Sequence, residues 1–215
     1  MRSDFLNTLV DRVAAVGHEG VARIAITGVD GSGKTRLADE LAPLVRHKGI
    51  TVIRSSIDGF HNPRAVRYAR GKESPEGFYR DSFNLDAFKR ALLDPLSPGG
   101  SLSYRTAAFD HRTDRPVDAP AETAPVPSVL IVDGIFLQRP ELAHYWDLTI
   151  FLDVPFAQSF ARMSVRDGCP ADEDAPANQR YRQGQQLYFA ECDPQARAEV
   201  LVDYADLDAP KFLRF

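Results

Sequence analysis

The sequence predicts an α/β fold in which a parallel sheet carries helices on both faces. Three observations support this. Short apolar runs recur along the 215 residues and alternate with stretches of helical spacing. Hydrophobic residues make up 44% and charged residues 26%, a balance that lets one domain spanning 1–215 bury a substantial core. A glycine-rich turn at 28–35 joins the first apolar run to an amphipathic stretch.

Taken in order, Phe5, Leu6, Leu9, Val10 and Val13 follow Ser3 and Asp4 at helical spacing, with the polar pair as a cap. Asp4, Asp11 and Arg12 interrupt any apolar run there, so neither a secretory signal nor a membrane segment is expected. Residues 23–27 read as a buried strand, and 36–47 as a helix with Leu37, Leu41, Leu44 and Val45 on one face. Residues 51–57 form a second strand, and 85–93 a helix opened by Asn84. Strands follow at 129–132 and 148–152, then a helix at 155–165 with Pro155 in its first turn, then a weak strand at 200–202. Two segments break the alternation, 58–82 and the lid-like 167–182, and long irregular segments in compact domains are often functional. The Pro-rich 119–127 reads as a surface connection.

The charge balance narrows the partners. Lys and Arg total 26 against 30 Asp and Glu, a net charge of −4, where a nucleic-acid binder would more often show a basic face. A phosphate site needs only local donors, so a small anionic ligand stays open. Cys169 and Cys192 lack disulfide or metal spacing, which makes the cytoplasm the default compartment.

Gly28-Val29-Asp30-Gly31-Ser32-Gly33-Lys34-Thr35 fits G-x-x-x-x-G-K-[ST] between a strand and a helix, so a P-loop NTPase fold is expected. Glycines let the backbone curl its N–H groups toward phosphate oxygens, and the helix adds the positive end of its dipole. Gly28, Asp30, Gly31, Ser32, Gly33, Lys34 and Thr35 would cradle ATP, Lys34 reaching the β- and γ-phosphates and Thr35 offering its hydroxyl to Mg2+. Asp133 ends the apolar run 129–132, on the edge of a parallel sheet that a P-loop shares. It either serves the metal or caps a turn. Asp58, in Ser55-Ser56-Ile57-Asp58-Gly59-Phe60-His61, either accepts a hydroxyl proton beside the metal or forms an Asp-Gly turn. His61 either contacts substrate or is an ordinary loop residue. Tyr68, Phe78, Tyr79 and Phe83 could wall an acceptor pocket, with Arg64, Arg67, Arg70 and Arg80 making that region basic.

A P-loop followed by strand-Asp-Gly-Phe-His and then strand-Asp-Gly-Ile-Phe resembles the uridine kinase-like group, whose relatives include pantothenate kinases and phosphoribulokinases. The resemblance spans about residues 22–205. It implies Asp58 as catalytic base and metal-side carboxylate, Asp133 as a Mg2+ partner, and Arg166 as a lid arginine on the transferring phosphoryl group. It implies further that Asp86 binds sugar hydroxyls, and that Phe109 and His111 lie where uridine kinases recognise the base. In three places the chain departs from the pattern. Asp114 stands nearest the base-reading histidine, Met163 replaces an arginine, and Asp172, Glu173 and Asp174 occupy an Arg-rich lid stretch, with Arg180 and Arg182 following.

These readings converge on an ATP- and Mg2+-dependent kinase for a hydroxyl of a small metabolite, with a nucleoside such as uridine first. Alternatives are pantothenate or another non-nucleoside acceptor, or a nucleotide-binding regulator without catalysis. A GTPase-type switch would need an Asn-Lys-x-Asp motif, which the sequence lacks. Neither nucleic acid nor membrane is an expected partner. Because the resembling families often form dimers or tetramers, a homo-oligomer is open.

Overall fold

The computed structural model describes residues 2–16 and 19–215. Six strands form the central sheet: β1 (Val21–Gly28), β2 (Thr51–Ser56), β3 (Ser128–Gly134), β4 (Leu148–Asp153), β5 (Val200–Asp203) and β6 (Lys211–Arg214). Their order is β6-β5-β4-β1-β3-β2, parallel throughout except that β6 runs antiparallel to β5. The long helices are α1 (Arg2–Ala14), α2 (Lys34–His47), α3 (Pro75–Asp81), α4 (Phe156–Asp167) and α5 (Pro176–Cys192).

Side chains on the inner strands alternate between two cores, as a period of two residues requires. Ile24, Ile26 and Ile131 pack with Phe5, Leu9, Leu37 and Leu41 from α1 and α2. Ala25, Leu130 and Val132 face the other way onto Phe60, Phe78, Phe136 and Tyr188. The register sets Thr27 beside Gly134 and Ser56 beside Asp133, so β1, β2 and β3 end together. From β1 the chain crosses to the edge strand β2, returns to β3 beside β1, and then continues on the other side through β4, β5 and β6. The crevice at the carboxyl ends of such strands is where ligands bind in this architecture.

Several expectations shift. Ser3 and Asp4 lie inside α1, which begins at Arg2. β6 was not expected; Phe212 stacks on Phe5 with ring centroids 4.7 Å apart, so tertiary packing supports a strand whose polar pattern does not announce it. The segment 58–82 carries a turn of helix at Arg64–Arg67 and then α3. The lid expected over 167–182 is a loop only to residue 175, beyond which the chain enters the 17-residue α5. Asn84 does cap its helix, accepting the Ala87 N–H at 2.9 Å, and the helix widens into a π turn over Lys89–Leu93. Within 119–127, Glu122–Thr123 pair with Ser103–Tyr104, and Ala124 is buried. No helix among the described residues is long and apolar enough to cross a membrane.

α3 and α5 pack at a glycine. A Cβ on Gly184 would sit 2.6 Å from Phe78 Cδ1 and 2.9 Å from the Pro75 carbonyl oxygen. Gly184→Ala should therefore destabilise the protein by about 1–3 kcal/mol through overpacking, even though alanine is the better helix former. Denaturant unfolding measures this, and an unchanged or raised midpoint would contradict the close packing.

Candidate active site

The turn between β1 and α2 has the backbone that its glycines demand. Gly31 and Gly33 have φ of +66° and +95°. A Cβ on Gly31 would lie 2.7 Å from the Ser159 carbonyl oxygen and 2.8 Å from Met163 Cγ. Met163, where the family resemblance would place an arginine, thus packs on the phosphate loop. No side chain caps α2, so its first N–H groups are free to meet a ligand. They border a cavity of about 340 Å³ lined by Gly31, Gly33, Lys34, Thr35, Arg162 and Arg166, among others. An uncapped helix start with Lys34, Arg36, Arg162 and Arg166 around the cavity fits a polyphosphate.

Lys34 Nζ donates to the Val29 carbonyl at 2.7 Å and sits 3.4 Å from Ser32 Oγ. Burial pushes its pKa below the ordinary value, opposed by the fields of Asp30, Asp133 and Asp58 and reinforced by Arg166. The fields of these four charged groups all reach this one ammonium.

Asp133 is 2% exposed, with both oxygens engaged. Oδ2 accepts the Thr35 hydroxyl at 2.6 Å, and Oδ1 accepts Arg54 Nη2 at 2.9 Å. Arg54 also binds the Ile131 carbonyl at 3.0 Å and Asp39 at 2.8 Å. Sequence reasoning missed Arg54; the available signal was the lone charge in β2, next to the buried Val52 and Ile53. Thr35, Asp133 and Asp58 offer only oxygen, which suits Mg2+. Among the described residues no three His, Cys, Asp or Glu side chains gather into a closed metal cage, and Mg2+ commonly keeps water and phosphate oxygens instead.

Asp58 is exposed, on a tight helical turn (Ile57–Phe60) that Ser56 caps by accepting the Asp58 N–H at 3.3 Å. His61 Nδ1 donates to the Asp58 carbonyl at 2.9 Å, and Nε2 makes no hydrogen bond among the described residues. The His61 ring lies 4.5 Å from Phe83 and 4.6 Å from His111. Burial holds its pKa low, with His111 and Arg67 adding to that and Asp58 opposing. His111 is carried by a hairpin in which Phe109–Asp110 pair with Arg115–Pro116. Asp114 at its tip has φ +55°, and Oδ1 accepts the Arg64 N–H at 2.8 Å and Arg67 Nη2 at 3.4 Å. Asp114 thus ties the hairpin to the insertion.

Arg166 lines the phosphate cavity and pairs with Asp167 at 2.7 Å. One helical turn earlier, Arg162 donates to the carbonyls of Ser32 at 3.2 Å and Tyr204 at 3.0 Å, bracing the loop from behind. Its spacing of four from Arg166 on one helix face was the overlooked signal. Gln185 on α5, also unforeseen, donates to Asp30 Oδ2 at 3.0 Å. Arg182 is occupied by Glu173 and Asp174, so the acidic lid run neutralises an arginine of this chain.

Two predicted substrate contacts, Tyr79 and Phe109, lie in the core. Tyr79 is 1% exposed, inside the core against Phe136 and Tyr188, with its hydroxyl 3.4 Å from Cys192 Sγ; it has no surface to offer a ligand. Phe109 is also buried and supports the hairpin. The Asp86 side chain is 79% exposed and paired with Lys89 at 3.1 Å.

A parallel sheet, an uncapped P-loop helix and carboxylates at the shared strand edge define a P-loop kinase. The family model described as "Phosphoribulokinase / Uridine kinase family" matches residues 23–170, and the chain belongs to that family. It is thereby a kinase of small metabolites. Its structure is similar to that of a possible uridine kinase from Bacillus stearothermophilus (25% identity, 94% of this chain and 98% of that one, TM-score 0.74). It is also similar to a candidate fructose transport system kinase from Silicibacter sp. TM1040 (25% identity, 89% and 95%, TM-score 0.70). Phosphoribulokinase from Rhodobacter spheroides shares the fold at 16% identity (86% and 73%, TM-score 0.57). No curated protein matches the chain by sequence.

Removing the Arg54 guanidinium leaves a buried carboxylate without its charged partner, so Arg54→Met should cost about 2–3 kcal/mol in denaturant unfolding. A loss under about 0.5 kcal/mol would show that the pair contributes no net stability. His61 gives a pH signature. Its folded pKa lies below the ordinary 6.5, so the unfolded chain binds the proton first. Stability should be full above about 6.5 and fall as pH drops through the window below it. His61→Gln should flatten that slope, and an identical pH profile for the variant would refute the assignment.

Proposed function

We propose that this chain is an ATP- and Mg2+-dependent kinase that phosphorylates a hydroxyl of a small metabolite, with a nucleoside such as uridine as the first acceptor to test. The observation that carries this reading is the Thr35–Asp133 hydrogen bond at the uncapped start of α2, where Lys34 and Arg166 line one cavity.

In this reading the α2 N–H groups and Lys34 hold the β- and γ-phosphates. Thr35 and Asp133 supply oxygen on the Mg2+ side, Mg2+ neutralising phosphate charge when bound. Asp58 accepts the proton from the acceptor hydroxyl as its oxygen bonds to the γ-phosphorus and the bond to the ADP oxygen breaks. Arg166 offsets charge on the transferred group. The exposure of Asp58 suits a base that must meet an incoming hydroxyl. His61 and His111, with ring centroids 4.6 Å apart, would contact the acceptor.

The burial of Tyr79 favours a second reading, a non-nucleoside acceptor such as pantothenate or a sugar phosphate, because one expected stacking face is missing. Acceptor-dependent ADP release across nucleosides, pantothenate and sugar phosphates separates the two. Asp58→Asn should lower kcat by at least about 100-fold while ATP affinity stays near normal, whereas Lys34→Ala should weaken both. Retained turnover in Asp58→Asn would remove Asp58 as the base, and no acceptor-dependent ADP release from any of these compounds would count against the kinase itself.

A further inference from the structure

A second cavity lies between the insertion and α5. It measures about 420 Å³, within the range of small-molecule sites, and shares no lining residue with the cavity at the P-loop. Arg180 forms part of its wall. This residue is 6% exposed. Nη1 donates to the Lys72 carbonyl at 2.7 Å. The rings of Tyr68, Phe78 and Tyr181 lie 4.8, 5.6 and 5.8 Å away. Nε is buried with no hydrogen-bond partner. Among the described residues no carboxylate pairs with Arg180, although Arg182, two positions on, pairs with both Glu173 and Asp174.

A buried cation without a counter-charge is unfavourable by several kcal/mol, and aromatic faces offset only about 2 kcal/mol of that. Lys72 lines the same cavity, is exposed, and has no ion pair among the described residues. Glu73 is the single carboxylate in the lining, so the wall carries one net positive charge. Tyr68 and Tyr181 add flat apolar sides.

We infer that the cavity between Tyr68 and Tyr181 is an anion-binding site, in which Arg180 and Lys72 hold the phosphate or carboxylate of a small molecule. The anion would supply the missing counter-charge. Two sources share this chemistry: an anionic end of the acceptor itself, or a separate anionic effector.

Inorganic phosphate is the probe. The full chain is first saturated with Mg2+ and a non-hydrolysable ATP analogue, which fills the P-loop including its γ position, and phosphate binding is then followed calorimetrically. Wild type should bind one phosphate. Lys72→Ala, an exposed change that leaves the core intact, should weaken binding about fivefold to tenfold, and Arg180→Gln should abolish it. Absence of phosphate binding to the nucleotide-loaded wild type, or equal affinity in Lys72→Ala, overturns the site. Kinetics then assign the source. Phosphate that raises the acceptor KM competitively marks the acceptor's own anionic end; phosphate that changes kcat at constant KM marks an effector. The binding measurement needs no turnover, so it stands or falls apart from the kinase reading.

Discussion

The site depends on one buried carboxylate held in place from two sides. Asp133 ends β3 with 2% of its surface exposed, and an ionised group there is tolerable only because both oxygens are bonded. Thr35 reaches it from α2 and Arg54 from β2, so a single side chain ties the phosphate-loop helix to the two strands beside it. Arg54 is itself fixed by the Ile131 carbonyl and by Asp39 of α2. The carboxyl edge of the sheet is thereby rigid where Thr35 must present its hydroxyl, and rigid support is what phosphoryl transfer by positioning requires.

Around that edge the more variable parts of the chain are joined to each other. In sequence, 58–82 and the lid-like 167–182 read as two separate irregular segments. In the structure they pack as a unit: Gly184 lies against Phe78, Arg80 pairs with Glu191, and Arg180 binds the Lys72 carbonyl. Gln185 carries this unit onto Asp30 of the phosphate loop. Arg162, from α4, braces the same loop through the Ser32 carbonyl. The loop is thus held from behind by α4 and from the side by α5, while its uncapped N–H groups stay free.

Legibility followed the range of the interaction. The segment 28–35 and the strands ending near Asp58 and Asp133 were readable because their signals are local: glycine at positive φ, apolar runs of strand length, a polar residue at the strand end. The Asn84 cap was readable for the same reason. Tyr79 was misread because a tyrosine in an aromatic-rich segment looks alike whether it faces ligand or core, and only the Cys192 and Phe136 contacts decide. Asp86 likewise has a local partner, Lys89, three residues on.

By itself, the sequence determined the α/β class, the phosphate loop and the two carboxylate-bearing strand ends, since each arises from residues a few positions apart. Tertiary structure alone decided that Arg54, 79 residues from Asp133, is its charged partner, that Arg162 braces Ser32 across 130 residues, and that the acidic lid run neutralises Arg182 while leaving Arg180 without an anion. The physical reason is that a charged side chain takes its meaning from what lies within about 4 Å of it, and a sequence pattern does not contain that distance.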